Sequence, residues 1–233
     1  MDVQPPDLAA ALTQAAETIN SKRSLEDTLE AIVRSARLSV AGLDHAGISI
    51  RHRDGSIETL AGTDQLVWEL DDLQYRLHEG PCVDAIEGTP VVVVEHARHE
   101  QRWPHFIPEA VRRGLRAQIG LRLYADQESL GGLNLYSTEA ETIDPGVVHV
   151  AELFASHAAL ALGRARQEHH LNQALVSRTI IGQAIGILME RFQIDEDRAF
   201  QFLVRTSSTS QVKLRAVAQE VVDSHNARVA RGT

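Results

Sequence analysis

Apolar residues recur along this chain with two different periods, and the change from one to the other divides it. Residues 7–20 read as a helix, and Ser24 can cap a second one in which Leu25, Leu29, Ile32, Val33 and Ala36 share a face. A period of two follows, with Ala46, Ile48 and Ile50 alternating with Gly47, Ser49 and Arg51. Asp54-Gly55 suits a tight hairpin into residues 56–61. A helical patch near 66–76 and the pair Gly80-Pro81 lead to Val91–Val94, which reads as a buried strand, and to a short helix begun near Pro104 and stopped by Gly114. In a second hairpin Ala117, Ile119, Leu121 and Leu123 point one way, residues 125–129 turn the chain, and Leu133 and Leu135 return it. The implied class is α+β, a mainly antiparallel sheet flanked by helices.

From Asp144 onward the period is helical. Asp144-Pro145 is an N-cap followed by proline at the first helical position, and helix-compatible residues run to about Arg191, interrupted only by the polar segment from Arg164 to His170. Leu153, Leu160, Leu171 and Leu175 offer an incomplete apolar seam for a partner chain, so a homodimer is expected. Three amphipathic stripes then follow. Ile181, Ala184, Ile185, Leu188 and Phe192 form the first; Asp195 caps a helix carrying Ala199, Phe202 and Leu203; Ser210 caps one carrying Leu214, Val217, Ala218, Val221 and Val222. These stripes can bury one another in a three-helix bundle. The domains read as an N-terminal helix over 1–23, a sheet domain over 24–166 and an all-α domain over 167–233.

Charge sharpens that division. The net charge of −9 splits into 15 Lys/Arg against 26 Asp/Glu in residues 1–169 and 8 against 6 in residues 170–233. The mildly positive tail is weak evidence for a phosphate-bearing partner. A single cysteine, Cys82, excludes an internal disulfide and a multi-thiolate metal site within one chain, and a free cysteine ordinarily packs as a small hydrophobe. No apolar stretch approaches the ~20 residues of a membrane span, and the start is acidic, so the cytoplasm is the expected compartment and no membrane partner is expected. Zinc-protease, phosphate-loop, nucleophile-elbow and dinucleotide motifs are absent, and pairs such as Asp71-Asp72 read as solvated surface, so no enzyme is expected. His96 and His99 have a spacing that helices use for metal ligation, but no third ligand is evident.

Two stretches carry a family resemblance. ALVSRTIIGQAIGILMER at 174–191, DEDRAFQFL at 195–203 and KLRAVA at 213–218 together resemble the ANTAR family of RNA-binding antitermination modules, over nearly all of 171–226. The resemblance implies a dimeric protein that binds short RNA hairpins in nascent transcripts and so prevents a terminator from forming. On matching positions it implies RNA contacts from Ser177, Arg178, Gln183, Ala184, Gly186, Met189 and Arg191 and from Lys213, Leu214 and Arg215. The chemistry is consistent: Lys and Arg hold phosphates, and unpaired bases meet small polar side chains and guanidinium planes. The family commonly has a lysine where this chain has Ile185, which removes one phosphate contact and about one unit of salt dependence.

EGPCVDAI at 79–86, RWP at 102–104 and GGLNLYS at 131–137 resemble the GAF domains that precede ANTAR modules in actinobacteria, over roughly 24–166. Such domains enclose a pocket that holds a cyclic nucleotide, haem, another small molecule, or nothing. Cys82, Trp103 and Tyr136 are the candidate lining of a ligand pocket, against the plainer reading that each packs a core. The combined expectation is a sensory domain feeding an RNA-binding antitermination module. The alternatives are a DNA-binding regulator, which the weak basic charge and the lack of a short glycine turn disfavour, and a ligand or redox sensor that acts through protein partners.

Overall fold

Residues 45–137 close into a five-stranded antiparallel sheet built from His45–Arg51 (β1), Ile57–Gly62 (β2), Val91–Val94 (β3), Ala117–Ala125 (β4) and Glu128–Ser137 (β5). Their spatial order is β2-β1-β5-β4-β3. The structure, a computed structural model, describes residues 8–21, 24–52, 54–125 and 128–231. The chain divides into two units, Met1–Gln167 and Glu168–Thr233. The expected helix start at residue 7, and residues 126–127 of the expected second turn, lie outside the described residues.

Two sets of helices cover the sheet. On one face lie Leu8–Asn20 (α1), Leu25–Ser39 (α2) and the part of Pro145–Phe192 (α6) that belongs to the first unit. There Ile32 and Ala36 of α2 meet Ile48, Ile119, Leu121, Leu133 and Leu135 of the sheet and Phe154, Ala158 and Leu162 of α6. Ser24 caps α2 as expected, its hydroxyl accepting the Asp27 N–H at 3.0 Å. The other face carries Gln65–Leu77 (α3), Pro81–Glu87 (α4) and Phe106–Arg112 (α5), packed around Leu70, Val92, Val94, Trp103, Phe106 and Tyr136. Both faces are therefore buried, although the alternation marks only one as apolar.

The first hairpin is wider than Asp54-Gly55 alone would make it. It closes over residues 52–56, where His52 N–H donates to the Ser56 carbonyl at 2.8 Å and the Asp54 carboxylate accepts the Ser56 N–H at 3.0 Å. Gly55 takes the left-handed conformation inside this loop, at φ +90°.

The second unit comprises the remainder of α6 with Glu196–Ser210 (α7) and Leu214–Val229 (α8). Its core is Ala184 and Leu188 of α6, Ala199 and Leu203 of α7, and Val217 and Ala218 of α8. Asp195 caps α7 as expected, accepting the Arg198 N–H at 2.8 Å. Ser210 does not cap α8: it is the last residue of α7, its hydroxyl donates back to the Thr206 carbonyl, and Gln211 ends the helix in the left-handed conformation. Lys213 holds the N-cap position of α8 instead.

By length and composition α6 passes for a membrane span, with a mean hydropathy of 1.4 over its most apolar window, contrary to expectation. In the first unit Ala151, Ala155, Ala158 and Ala159 of this helix are buried in the cluster against the sheet.

The crossing of α4 over the sheet depends on Gly120, where an added Cβ would lie 2.5 Å from the Pro81 carbonyl oxygen. Because that obstacle is backbone, Gly120→Ala must displace α4 or the strand. The variant is expected to lose about 1–3 kcal/mol of sheet-domain stability in urea unfolding, followed by the fluorescence of Trp68 and Trp103, both in this unit. An unchanged midpoint would refute the close crossing.

Candidate functional site

The ten residues expected at an RNA interface separate by exposure. Arg178, Gln183, Gly186, Met189, Arg191, Lys213 and Arg215 are exposed, Ser177 and Leu214 are half-buried, and Ala184 is fully buried. The expectation for Ala184 needs correction. With 0% exposure its methyl fills the centre of the bundle, where a nucleotide could reach it only by unpacking the core. Leu214 leans on the same core, as does Ile185 in the position where the family carries a lysine. Ser177 donates its hydroxyl to the Gln173 carbonyl at 2.7 Å, which leaves its oxygen free to accept.

Three of the ten converge. Gln183, Gly186 and Arg191 line an open groove of about 670 Å³ together with Ile187 and Glu190 of α6 and Val222, His225, Asn226 and Arg228 of α8. A Cβ on Gly186 would meet nothing, so the groove floor is open for close approach. The Arg191 guanidinium lies 5.3 Å from the centre of the Phe192 ring. Lys213 and Arg215 are not part of the groove: Lys213 precedes α8, and His225 lies about 18 Å further along the axis at 1.5 Å per residue. Sequence reasoning missed His225, Asn226 and Arg228. The signal was present, since His225 and Asn226 stand three and four residues after Val222, and Arg228 three after His225, continuing the apolar stripe of α8 where its residues turn polar.

The candidate pocket residues of the sheet domain sit in a filled interior. Cys82, Tyr136 and Trp103 are all buried. Cys82 and Tyr136 belong to one polar network between the sheet and α3, while Trp103 packs in the neighbouring apolar cluster with the Arg102 guanidinium 4.4 Å from its ring centre. The network centres on Asp71, which is fully buried where solvated surface was expected. Tyr136 donates its hydroxyl to this carboxylate, Thr59 donates at 2.7 Å and Asn134 Nδ2 at 3.0 Å. The same Asn134 amide lies 3.0 Å from Cys82 Sγ and 3.1 Å from Ser49 Oγ. Gln74 receives the Cys82 backbone N–H at 2.8 Å and donates to the Tyr136 hydroxyl at 3.1 Å, fixing the start of α4.

Burial raises the Asp71 pKa to about 6, against the opposing hydrogen bonds from Tyr136, Thr59, Tyr75 and Asn134. Burial and then the neighbouring Asp71 charge push the Cys82 thiol up to about 12, which makes it a poor nucleophile. Tyr136 is raised for the same reasons and stays a donor. Two buried acceptors, Gln118 Oε1 and Asn134 Oδ1, have no donor among the described residues. Among those residues no three His, Cys, Asp or Glu side chains converge as a metal site, and His96 and His99 sit with ring centres 5.7 Å apart beside Arg116 and Glu141.

Residues 22–163 match the family model of the GAF domain, and residues 169–222 match that of the ANTAR domain. No protein with curated annotation matches the chain. Among solved structures, it is similar to the photosensory core module of the Stigmatella aurantiaca phytochrome (TM-score 0.59, 12% identity, 85% of this chain and 44% of that one). It is also similar to a bacteriophytochrome from the photosynthetic bacterium R. palustris (TM-score 0.57, 12% identity, 79% of this chain), of whose length it spans only 42%. A third is the GAF domain of a Coxiella burnetii phosphoenolpyruvate-protein phosphotransferase (TM-score 0.56, 18% identity, 70% of this chain and 97% of that one). These identities carry the fold alone.

Asp71 gives the sheet domain a pH dependence of defined sign. Its folded pKa of about 6 lies above the ordinary 3.8, so the protonated form is the one the fold favours. The contribution is fully present below about pH 4 and is lost as pH rises through about 6, an effect of about 3 kcal/mol. The stability of the wild type relative to Asp71→Asn is expected to fall by that order between about pH 4 and 7 in urea titrations. A constant difference across this range would show that Asp71 is not the titrating group.

Proposed function

Since the chain belongs to the GAF domain family and carries an ANTAR domain behind the GAF domain, we propose that it is a signal-responsive regulator that binds hairpins in nascent transcripts and prevents transcription termination. The observation that carries this reading is the groove on the second unit, where Gln183, Gly186 and Arg191 of α6 face His225, Asn226 and Arg228 of α8. Two guanidinium groups supply phosphate attraction, while the amides and the imidazole supply donors and acceptors for base edges. An open glycine between them admits a nucleic-acid backbone. Arg178, about 12 Å before Gly186 along α6, and Lys213 with Arg215 at the start of α8 extend the contact. A bound hairpin holds nucleotides that the competing terminator stem needs.

Leu171 and Leu175 on the second unit's part of α6 are 59% and 62% exposed, which supports a homodimer formed through this helix. In the sheet domain, the orphaned acceptors Gln118 Oε1 and Asn134 Oδ1 support a small polar ligand as the input, one that repartners the Asp71 network. A ligand that prefers one packing of that network shifts the population of RNA-competent molecules. The protein works in the cytoplasm, holds no membrane and catalyses no reaction.

Mobility-shift titration of a structured transcript leader tests the RNA role. Arg191→Ala and Arg228→Ala are each expected to weaken binding several-fold and to lower the salt slope by about one, with smaller losses for Arg178→Ala and Lys213→Ala. Unchanged binding in all four removes the interface, and duplex DNA competing as well as the hairpin would favour the DNA reading. In sedimentation, the double variant Leu171→Glu, Leu175→Glu is expected to run as a monomer where the wild type runs as a dimer; equal masses would refute the seam.

A further inference from the structure

Helix α7 presents a feature that the groove does not use. Arg198, Phe202 and Arg205 follow one another at intervals of four and three residues, so Phe202 stands between two arginines on one helical face. They line an open cavity of about 750 Å³ with Ile194, Asp197, Gln201, Thr206, Thr209 and Ser210. Phe202 is 47% exposed, and beside it Phe192 is 51% exposed, with ring centres 6.1 Å apart and planes at 34°.

A single exposed phenylalanine is unremarkable on a protein surface. Two adjacent rings with cations on both sides are a more specific arrangement. Arg205 makes no hydrogen bond or ion pair among the described residues, and Arg198 is held only by an exposed contact to Asp195 at 3.5 Å, which a stronger anion displaces readily. The two arginines stand about 10 Å apart along the axis. A nucleotide in a single strand offers the matching pattern, a flat base with a phosphate on its 5′ side and another on its 3′ side. A paired base is stacked within its duplex and cannot meet the ring. An acidic peptide would satisfy the arginines but leave the aromatic pair without a planar partner.

We propose that the outer face of α7 is a stacking platform for an unpaired base of the bound RNA, with Phe202 under the base and Arg198 and Arg205 on its flanking phosphates. The inference rests on the RNA reading above and adds a second contact surface, which selects hairpins by their loops. Phe192, next to Arg191 of the groove, supplies the neighbouring ring.

The test uses the full chain and two probes, a stem-loop RNA with an unpaired purine loop that contains 2-aminopurine, and the same stem closed by an ethylene-glycol linker. The wild type is expected to bind the looped RNA more tightly and to quench 2-aminopurine fluorescence. Phe202→Ala is expected to lose roughly tenfold in affinity for the looped RNA, lose the quenching and keep its salt slope, while Phe202→Trp retains binding. Arg205→Gln is expected to lower the salt slope by about 0.7. Equal affinity of Phe202→Ala and the wild type for the looped RNA overturns the platform while leaving the groove standing. Loss of binding by Phe202→Ala together with a halved mass in sedimentation would assign the face to a second copy of the chain and overturn the proposal as well. If the wild type binds neither RNA, the RNA reading fails and the platform with it.

Discussion

A carboxylate held away from solvent, Asp71, sets the terms on which the sheet domain is built. An ionised carboxylate in such a place is tolerable only when donors surround it, and the nearby strands and helices supply them: Thr59 from β2, Asn134 and Tyr136 from β5, and Tyr75 one turn further along α3. Gln74, on the same helix, ties that network to the first turn of α4 through Cys82. The close approaches at Gly47 and Gly120 follow, since α3 and α4 must lie almost on the sheet for these bonds to form. This face combines directional contacts with the apolar cluster around Leu70, Val92 and Phe106, whereas the opposite face is held by apolar burial against α2 and α6.

The two faces have different consequences for sensing. An apolar interface gives little when a ligand's polarity or charge changes, whereas a hydrogen-bonded network around a group that titrates near pH 6 has alternative arrangements close in energy. Any molecule that enters must either match the donors it displaces or leave Asp71 to take up a proton. Among the described residues two acceptors of this network lack donors.

The apolar half of this design was legible in the sequence. Ala46, Ile48, Ile119, Leu121, Leu133 and Leu135 all lie on the face that their alternation assigns them, and Ser24 and Asp195 cap the helices expected of them. The polar half was not, because Ser49, Gln118 and Asn134 alternate with apolar neighbours as solvent-facing residues do, and period alone does not distinguish a covered polar face from a wet one. Asp71 could have been recognised from α3 itself, since Val67, Asp71, Gln74 and Tyr75 fall at i, i+4, i+7 and i+8 on one side of that helix. In the second unit the core stripes were readable. Ala184 was placed at the interface because matching a motif by position cannot tell a residue that touches a ligand from one that holds up its neighbours.

The second unit is small enough that core and interface compete for the same residues. Its fully buried side chains are few and mostly small, with Ala184, Ala199 and Ala218 allowing the three helices to approach closely. Small residues at the centre leave little apolar area to stabilise the bundle, so larger groups such as Phe192, Phe202 and Met189 remain partly outside it. Their exposure is a cost in the isolated chain that burial by a partner would recover, whether the partner is an RNA base or a second α6 helix. Binding and folding of this unit are for that reason linked: a partner that covers these side chains also stabilises the bundle.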